Sequence, residues 1–137
     1  MTDCIFCKIV QGQIPSTKLF ETDKVYAFLS IQPVNSGHAL IVHKHHHSDI
    51  FDTPEEDMKD LAAGAKRIAV ALKDALKIDG VNIGMNNGAA AGQVIFHAHL
   101  HVIPRLMNDG FKHWQHKDAK PEELKQVADK IKAVLAL

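Results

Sequence analysis

Three histidines alternate with apolar residues in His97-Ala98-His99-Leu100-His101. Successive side chains of a β-strand point to opposite faces, so this spacing predicts three imidazoles on one face. Ala98, Leu100 and Val102 fall on the other, which belongs against a core. A neutral imidazole held by an acceptor at one ring nitrogen offers a lone pair at the other. That nitrogen can attack phosphorus and form a P–N bond, which water breaks in a second step. A neighbouring imidazole can donate to the phosphoryl oxygens or to the leaving group. Solvated strand faces ordinarily carry Thr, Lys, Glu and Ser, so three titratable rings in register point to chemistry. A metal ion held by all three rings is a second chemistry open to the same spacing.

Two further sets of residues can do chemistry. Gly88-Ala89-Ala90-Ala91-Gly92-Gln93 is a small-residue loop entering the histidine strand, and small residues let backbone N–H groups approach a phosphate. Cys4 and Cys7 have the spacing of half a tetrahedral zinc site. A redox pair or two plain thiols fit the same CxxC spacing, although the βαβ context of a redox pair is lacking. Ten residues of the 137 are histidine, and most fall in two clusters, His43–His47 and His97–His101. A run such as His43-Lys44-His45-His46-His47 also binds divalent metals loosely.

The elements that must position these residues follow from pattern. Ile5 to Val10 forms one helical turn, too short to be stable alone. Lys18–Glu21, Val25–Leu29 and His38–Val42 read as strands, with Thr22-Asp23-Lys24 as a hairpin turn. A long helix begins with Thr53 as cap, Pro54 at its first position and Glu56 closing a capping box. Its apolar stripe is Met58, Leu61, Ala62, Ala65, Ile68, Ala69, Leu72 and Leu76, and Asp79-Gly80 ends it. Val81–Met85 and Val94–Pro104 are two more strands. A last helix starts near Pro121 with Leu124, Val127, Ala128, Ile131, Val134 and Leu135 on one face. This order predicts a single α+β domain, residues 1–137, in which an antiparallel sheet packs with one long helix and a C-terminal helix.

At this point a resemblance is plain. Asn86 to Arg105 resembles the signature of the histidine triad (HIT) family, in its bacterial Hit-like branch. Cys4–Val10, Ala27-Phe28-Leu29, Gly37–Val42, Ile103-Pro104-Arg105, Asp109-Gly110-Phe111 and Trp114 are similar to it too. The resemblance implies a homodimer that cleaves a nucleoside monophosphate, such as an AMP or GMP conjugate, from its leaving group. Phosphoramidate, acyl-phosphate and polyphosphate leaving groups all fit, the last including dinucleoside polyphosphates. It implies His99 as nucleophile, His101 at the phosphate or leaving group, and His38 in support. Asn86, Gly92 and Gln93 would lie on the phosphate side. Some members bind zinc through two cysteines and two histidines, a pattern that falls here on Cys4, Cys7, His46 and His97. His43, His45 and His47 are then expected in solvent. Ser30 stands where the family usually has an Asp that grips the ribose hydroxyls. Val94 stands in place of Ser or Thr, and His43 in place of Pro.

The alternatives are a nucleotide-binding module with little catalysis, favoured by Ser30, and a zinc-binding module in which the triad and the His43–His47 run are ligands. The balance of 16 basic and 16 acidic residues suggests neither a nucleic-acid partner nor a membrane-surface partner. The N-terminal residues do not read as a signal peptide, which places the expected location in the cytoplasm.

Overall fold

The computed structural model describes residues 3–135. Chain order is α1 (Ile5–Val10), β1 (Lys18–Glu21), β2 (Val25–Leu29), β3 (Ala39–His43), α2 (Glu55–Leu76), β4 (Gly80–Gly84), β5 (His99–Arg105) and α3 (Pro121–Val134), with a 3-10 turn at Ala89–Ala91. The strands form one antiparallel sheet in the order β1-β2-β3-β5-β4. This is the α+β architecture expected from the sequence.

The two faces of the sheet are packed differently. Leu61, Ala65, Ile68 and Leu72 of α2 lie against Val25, Ala27, Ala39, Ile41, Leu100 and Val102. Each fully buried aliphatic side chain there contributes about 1.5–3 kcal/mol of hydrophobic stabilisation. The opposite face carries Tyr26, Phe28, Leu40 and Val42, covered by Phe6 and Ile9 of α1. Register puts Leu40 beside His101 and Val42 beside His99. The histidines therefore share the α1 face, while Leu100 and Val102 enter the α2 core as the alternation requires.

Gly37 sits at the entry to β3 with φ +96°, and an added Cβ there would come within 2.6 Å of Leu76 Cδ1. Glycine is needed both for the backbone conformation and for this close approach of loop to helix.

Several details depart from the sequence reading. The triad strand begins at His99, not Val94, because residues 95–97 form a bend that turns His97 out of the ladder. The capping box does not form. Pro54 is the N-cap of α2 and makes no side-chain cap bond, while Thr53 donates its hydroxyl to Asp49 O and Glu56 pairs with Lys59. Helix α2 ends at Lys77, which adopts the left-handed conformation at φ 53°. Helix α3 forms where expected but buries none of its residues, so it does not cover the sheet. Among the described residues no helix is long and apolar enough to cross a membrane.

Candidate active site and metal-ligand cluster

A row of rings runs along the α1 face. His46 lies 4.8 Å from His97, His99 5.0 Å from His101, and His101 5.2 Å from His38, centroid to centroid. Phe6 stands edge-on to both His97 and His99. Hydrogen bonds divide the row into two halves.

In the first half His99 Nδ1 lies 2.7 Å from His97 O. A carbonyl only accepts, so Nδ1 carries the hydrogen and Nε2 keeps a free lone pair. Next, Val34 N–H donates to His38 Nδ1 at 3.0 Å. A neutral His38 ring then carries its hydrogen on Nε2, which lies 2.9 Å from His101 Nδ1. His38 donates to His101, and the neutral His101 ring presents its own N–H at Nε2. One backbone amide thus fixes two tautomers in series. Burial pushes the pKa of His38 and His99 below the usual histidine range. Burial, with the neighbouring His99 and His38, pushes His101 down to about 4. The rings are neutral at pH 7, one as a lone-pair donor and one as a hydrogen-bond donor.

These rings open on a cleft of about 430 Å³. One end is polar, with His38, His99, His101, Asn86, Gly92 and Gln93. The other is largely apolar, with Ile5, Phe6, Ile9, Ile14, Phe28 and Leu29. A polar end with convergent donors beside an apolar recess suits a phosphate attached to a flat hydrophobic group.

The small-residue loop is shaped otherwise than the sequence suggests. The N–H groups of Ala91, Gly92 and Gln93 bond back to Gly88 O and Ala89 O within the turn. Gly88 and Gly92, with φ near +90°, make that turn possible. Gln93 is buried, and its amide accepts from Gly88 N–H and donates to Ser48 O and Ile95 O. Gln93 therefore shapes the loop. Asn86 makes no hydrogen bond among the described residues and faces the cleft with its amide available. Ser30 also lines the cleft, and its Oγ accepts from Gln32 N–H.

Asn35, Asp109 and Arg105 extend the site in a way not read from the sequence. Asp109 receives a paired contact from Arg105 at 2.8 and 3.0 Å and accepts from Asn35 Nδ2 at 2.9 Å. The Arg105 guanidinium holds the Asp109 carboxyl well below the usual carboxylate range. Asn35 also donates to Pro104 O and accepts from His38 N–H. This network ties the loop that supplies Val34 N–H to the end of the triad strand. A backbone amide has no sequence signature, although Asn35 before Gly37-His38 is a visible turn residue.

In the second half of the row four donors converge. His97 Nε2 donates to His43 O at 2.9 Å, so its Nδ1 is bare. That atom lies 3.3 Å from Cys4 Sγ, 3.5 Å from Cys7 Sγ and 3.1 Å from His46 Nδ1. His46 Nδ1 is 3.4 Å from Cys7 Sγ. The edges of a tetrahedron about zinc, with bonds of about 2.0–2.3 Å, are roughly 3.3–3.8 Å long, so two thiols and two imidazoles fit such an ion. Burial pushes the Cys7 thiol up to about 11, with Cys4 adding to it, and burial pushes His97 down to about 4. The four sequence-predicted ligands are brought together.

His43, expected in solvent, is 1% exposed. It closes β3 and packs onto α2 beside Asp57 and Asp60. His47 is half-buried, and only His45 of the three is exposed.

Fold and site together define a protein that sets paired neutral imidazoles into a cleft of small-molecule size. The chain belongs to the histidine triad family: the HIT domain model matches residues 11–108. A crystal structure of a HIT family member from Bacillus subtilis superposes with TM-score 0.91 at 39% identity, covering 98% of this chain and 99% of that one. The adenosine 5'-monophosphoramidase HNT1 of Saccharomyces cerevisiae is 48% identical over 102 residues, 74% of this chain and 62% of that protein. A zinc-bound histidine triad family protein from Mycobacterium smegmatis is 37% identical with TM-score 0.76, covering 98% and 99% of the two chains.

Proposed function

We propose that this chain, read as one HIT domain over residues 1–137, hydrolyses the bond between a nucleoside monophosphate and its leaving group, with an adenosine phosphoramidate as the leading substrate. The observation that carries the reading is the His99 tautomer, whose Nδ1 is spent on His97 O so that Nε2 is left with a lone pair in the cleft. His99 Nε2 attacks the α-phosphorus and forms a P–N bond, and the leaving group departs with the electron pair of the bond it loses. His101 Nε2–H donates to that group or to a phosphoryl oxygen. Water then adds to phosphorus, giving up a proton to solvent, and the P–N pair returns to His99. His38 holds His101 as a donor, Asn86 and Gly92 face the phosphate, and Gln93 keeps their loop in shape. Ser30 meets the ribose as a neutral hydroxyl, a weaker partner than a carboxylate.

Cys4, Cys7, His46 and His97 would hold zinc, which supplies folding energy by tying α1 to the sheet. The HNT1 relative supports the substrate class, and the zinc-bound relative supports the metal. Exposed Trp114 and the exposed apolar residues of α3 support a homodimer.

The test is turnover of a fluorogenic adenosine phosphoramidate by the wild type and by His99→Ala at matched metal content. The expected loss is about 10³-fold or more, with trapping of a nucleotidyl-histidine adduct in the wild type only. Nucleotide binding without turnover in the wild type would favour a binding module.

A further inference from the structure

His38 Nε2 and His101 Nδ1 meet at 2.9 Å with one hydrogen between them. Two neutral rings can satisfy that contact in two ways. Either both carry their hydrogen on Nε2 and His38 donates to His101, or both carry it on Nδ1 and His101 donates to His38. The first arrangement leaves His101 Nε2 a donor, and the second leaves it bare. The choice falls to whatever meets His38 Nδ1, which is Val34 N–H at 3.0 Å. A donor there excludes the second arrangement.

The loop from Ser30 to Gly37 must hold that amide in place. Ser30 N–H donates to His38 O at 2.9 Å, and His38 N–H donates to Asn35 O at 3.0 Å. Gly37, with φ +96°, closes this turn. Residues 31–34 between the two anchors are exposed. Among the described residues, Asn35 is the one member of 31–36 whose side chain bonds outside the loop. Both hydrogens of its amide are used, one on Pro104 O and one on Asp109 Oδ2, each at 2.9 Å. The Asp109 side chain is itself only 5% exposed and also accepts from Arg105 and from the N–H groups of Leu106 and Phe111. It is therefore a fixed acceptor. Pro104 follows His101 in β5, so the amide that sets the tautomer is tied to the strand that carries the ring.

We propose that Asn35 is the positioning residue for His101. Its side chain, clamped by Asp109 and Pro104 O, holds Val34 N–H on His38 Nδ1 and keeps both rings in the Nε2–H form. Without the clamp the amide can leave His38 Nδ1, and the two rings can exchange tautomers together. The use of this form in catalysis rests on the hydrolysis proposed above, in which His101 Nε2–H donates; the tautomers do not.

Long-range proton–nitrogen correlation spectra of the labelled full chain at pH 7 separate protonated from bare ring nitrogens and need no substrate. In the wild type both His38 and His101 should carry hydrogen on Nε2. Asn35→Ala should bring up the Nδ1–H form of both rings. Asp109→Asn keeps the Asn35 amide but weakens its anchor, and should give the same form to a smaller extent. His99, whose Nδ1 bonds to His97 O, should be unchanged in both, which reports that each variant is folded. Either variant alone decides if the other does not fold. Turnover of the adenosine phosphoramidate should fall about tenfold or more in Asn35→Ala, in kcat rather than KM. Folded variants that keep the wild-type tautomers would overturn the proposal and leave Asn35 a loop-stabilising residue. So would a wild type with hydrogen on His101 Nδ1. A tautomer shift with turnover unchanged would support the positioning and count instead against His101 as donor in the reaction.

Discussion

His97 and His99 are the same residue type two positions apart, both buried and both edge-on to Phe6. They are nonetheless opposite tautomers. His97 gives its Nε2 hydrogen to His43 O and turns a bare Nδ1 toward two thiols and an imidazole. His99 gives its Nδ1 hydrogen to His97 O and turns a bare Nε2 into the cleft. Which nitrogen is left bare is decided not by the ring but by the position of the nearest carbonyl. A bend before β5 sets His97 against the carbonyl of His43 and His99 against that of His97, and one row of imidazoles divides into a half facing the thiols and a half facing the cleft.

Separating the halves by substitution tests that division. Cys7→Ser, or removal of bound metal by a chelator, should cost the most in stability. The loss is about 4 kcal/mol where the ion stands 1,000-fold above its Kd, read from denaturant midpoints with and without added zinc. If the halves are distinct, metal-free protein kept folded at low temperature retains a measurable fraction of its turnover. Complete loss of turnover with full folding would merge them.

Within the cleft half, His38→Phe removes the donor to His101 Nδ1 and frees that ring to take the other tautomer. Turnover should fall about 10–100-fold, as for other groups that orient a reacting ring, with metal content unchanged. An effect confined to KM would instead make His38 a packing residue.

A further effect is on acid stability. The unfolded chain protonates an ordinary histidine near 6.5, whereas His101 in the folded chain does so only near 4. Between these values the unfolded state binds more protons, so this ring's contribution is complete above about 6.5 and is lost as pH falls toward 4. Urea midpoints of the wild type should decline over that window more steeply than those of His101→Asn. Equal slopes would mean that the folded ring titrates normally.

Much of this division was legible in the sequence. Strand alternation placed His99 and His101 on one face and Leu100 and Val102 in the core, the CxxC spacing offered half of a metal site, and the resemblance to the HIT family supplied His46 and His97. Tautomers were illegible because they depend on main-chain atoms of Val34, His43 and His97 that every residue type possesses. The capping box failed because Thr53 bonds to Asp49 O, a local competitor that pattern does not rank. His43 was misjudged because a histidine-rich run gives no sign of which ring meets a helix. The apolar face of α3 was legible as a face, but amphipathicity does not say what a helix packs against.

The acceptor that orients His99 is a peptide oxygen, and this has a consequence for how such a site drifts under mutation. No codon change at position 97 can delete that oxygen, since every amino acid carries it. The partner of His101, in contrast, is a side chain that a single base change can remove. On the proposed mechanism, lineages that relax selection on turnover therefore lose the His38–His101 arm first and keep the bare His99 nitrogen long afterwards. Descendants of this kind would still become covalently labelled by reactive nucleotides, even after they had ceased to turn them over.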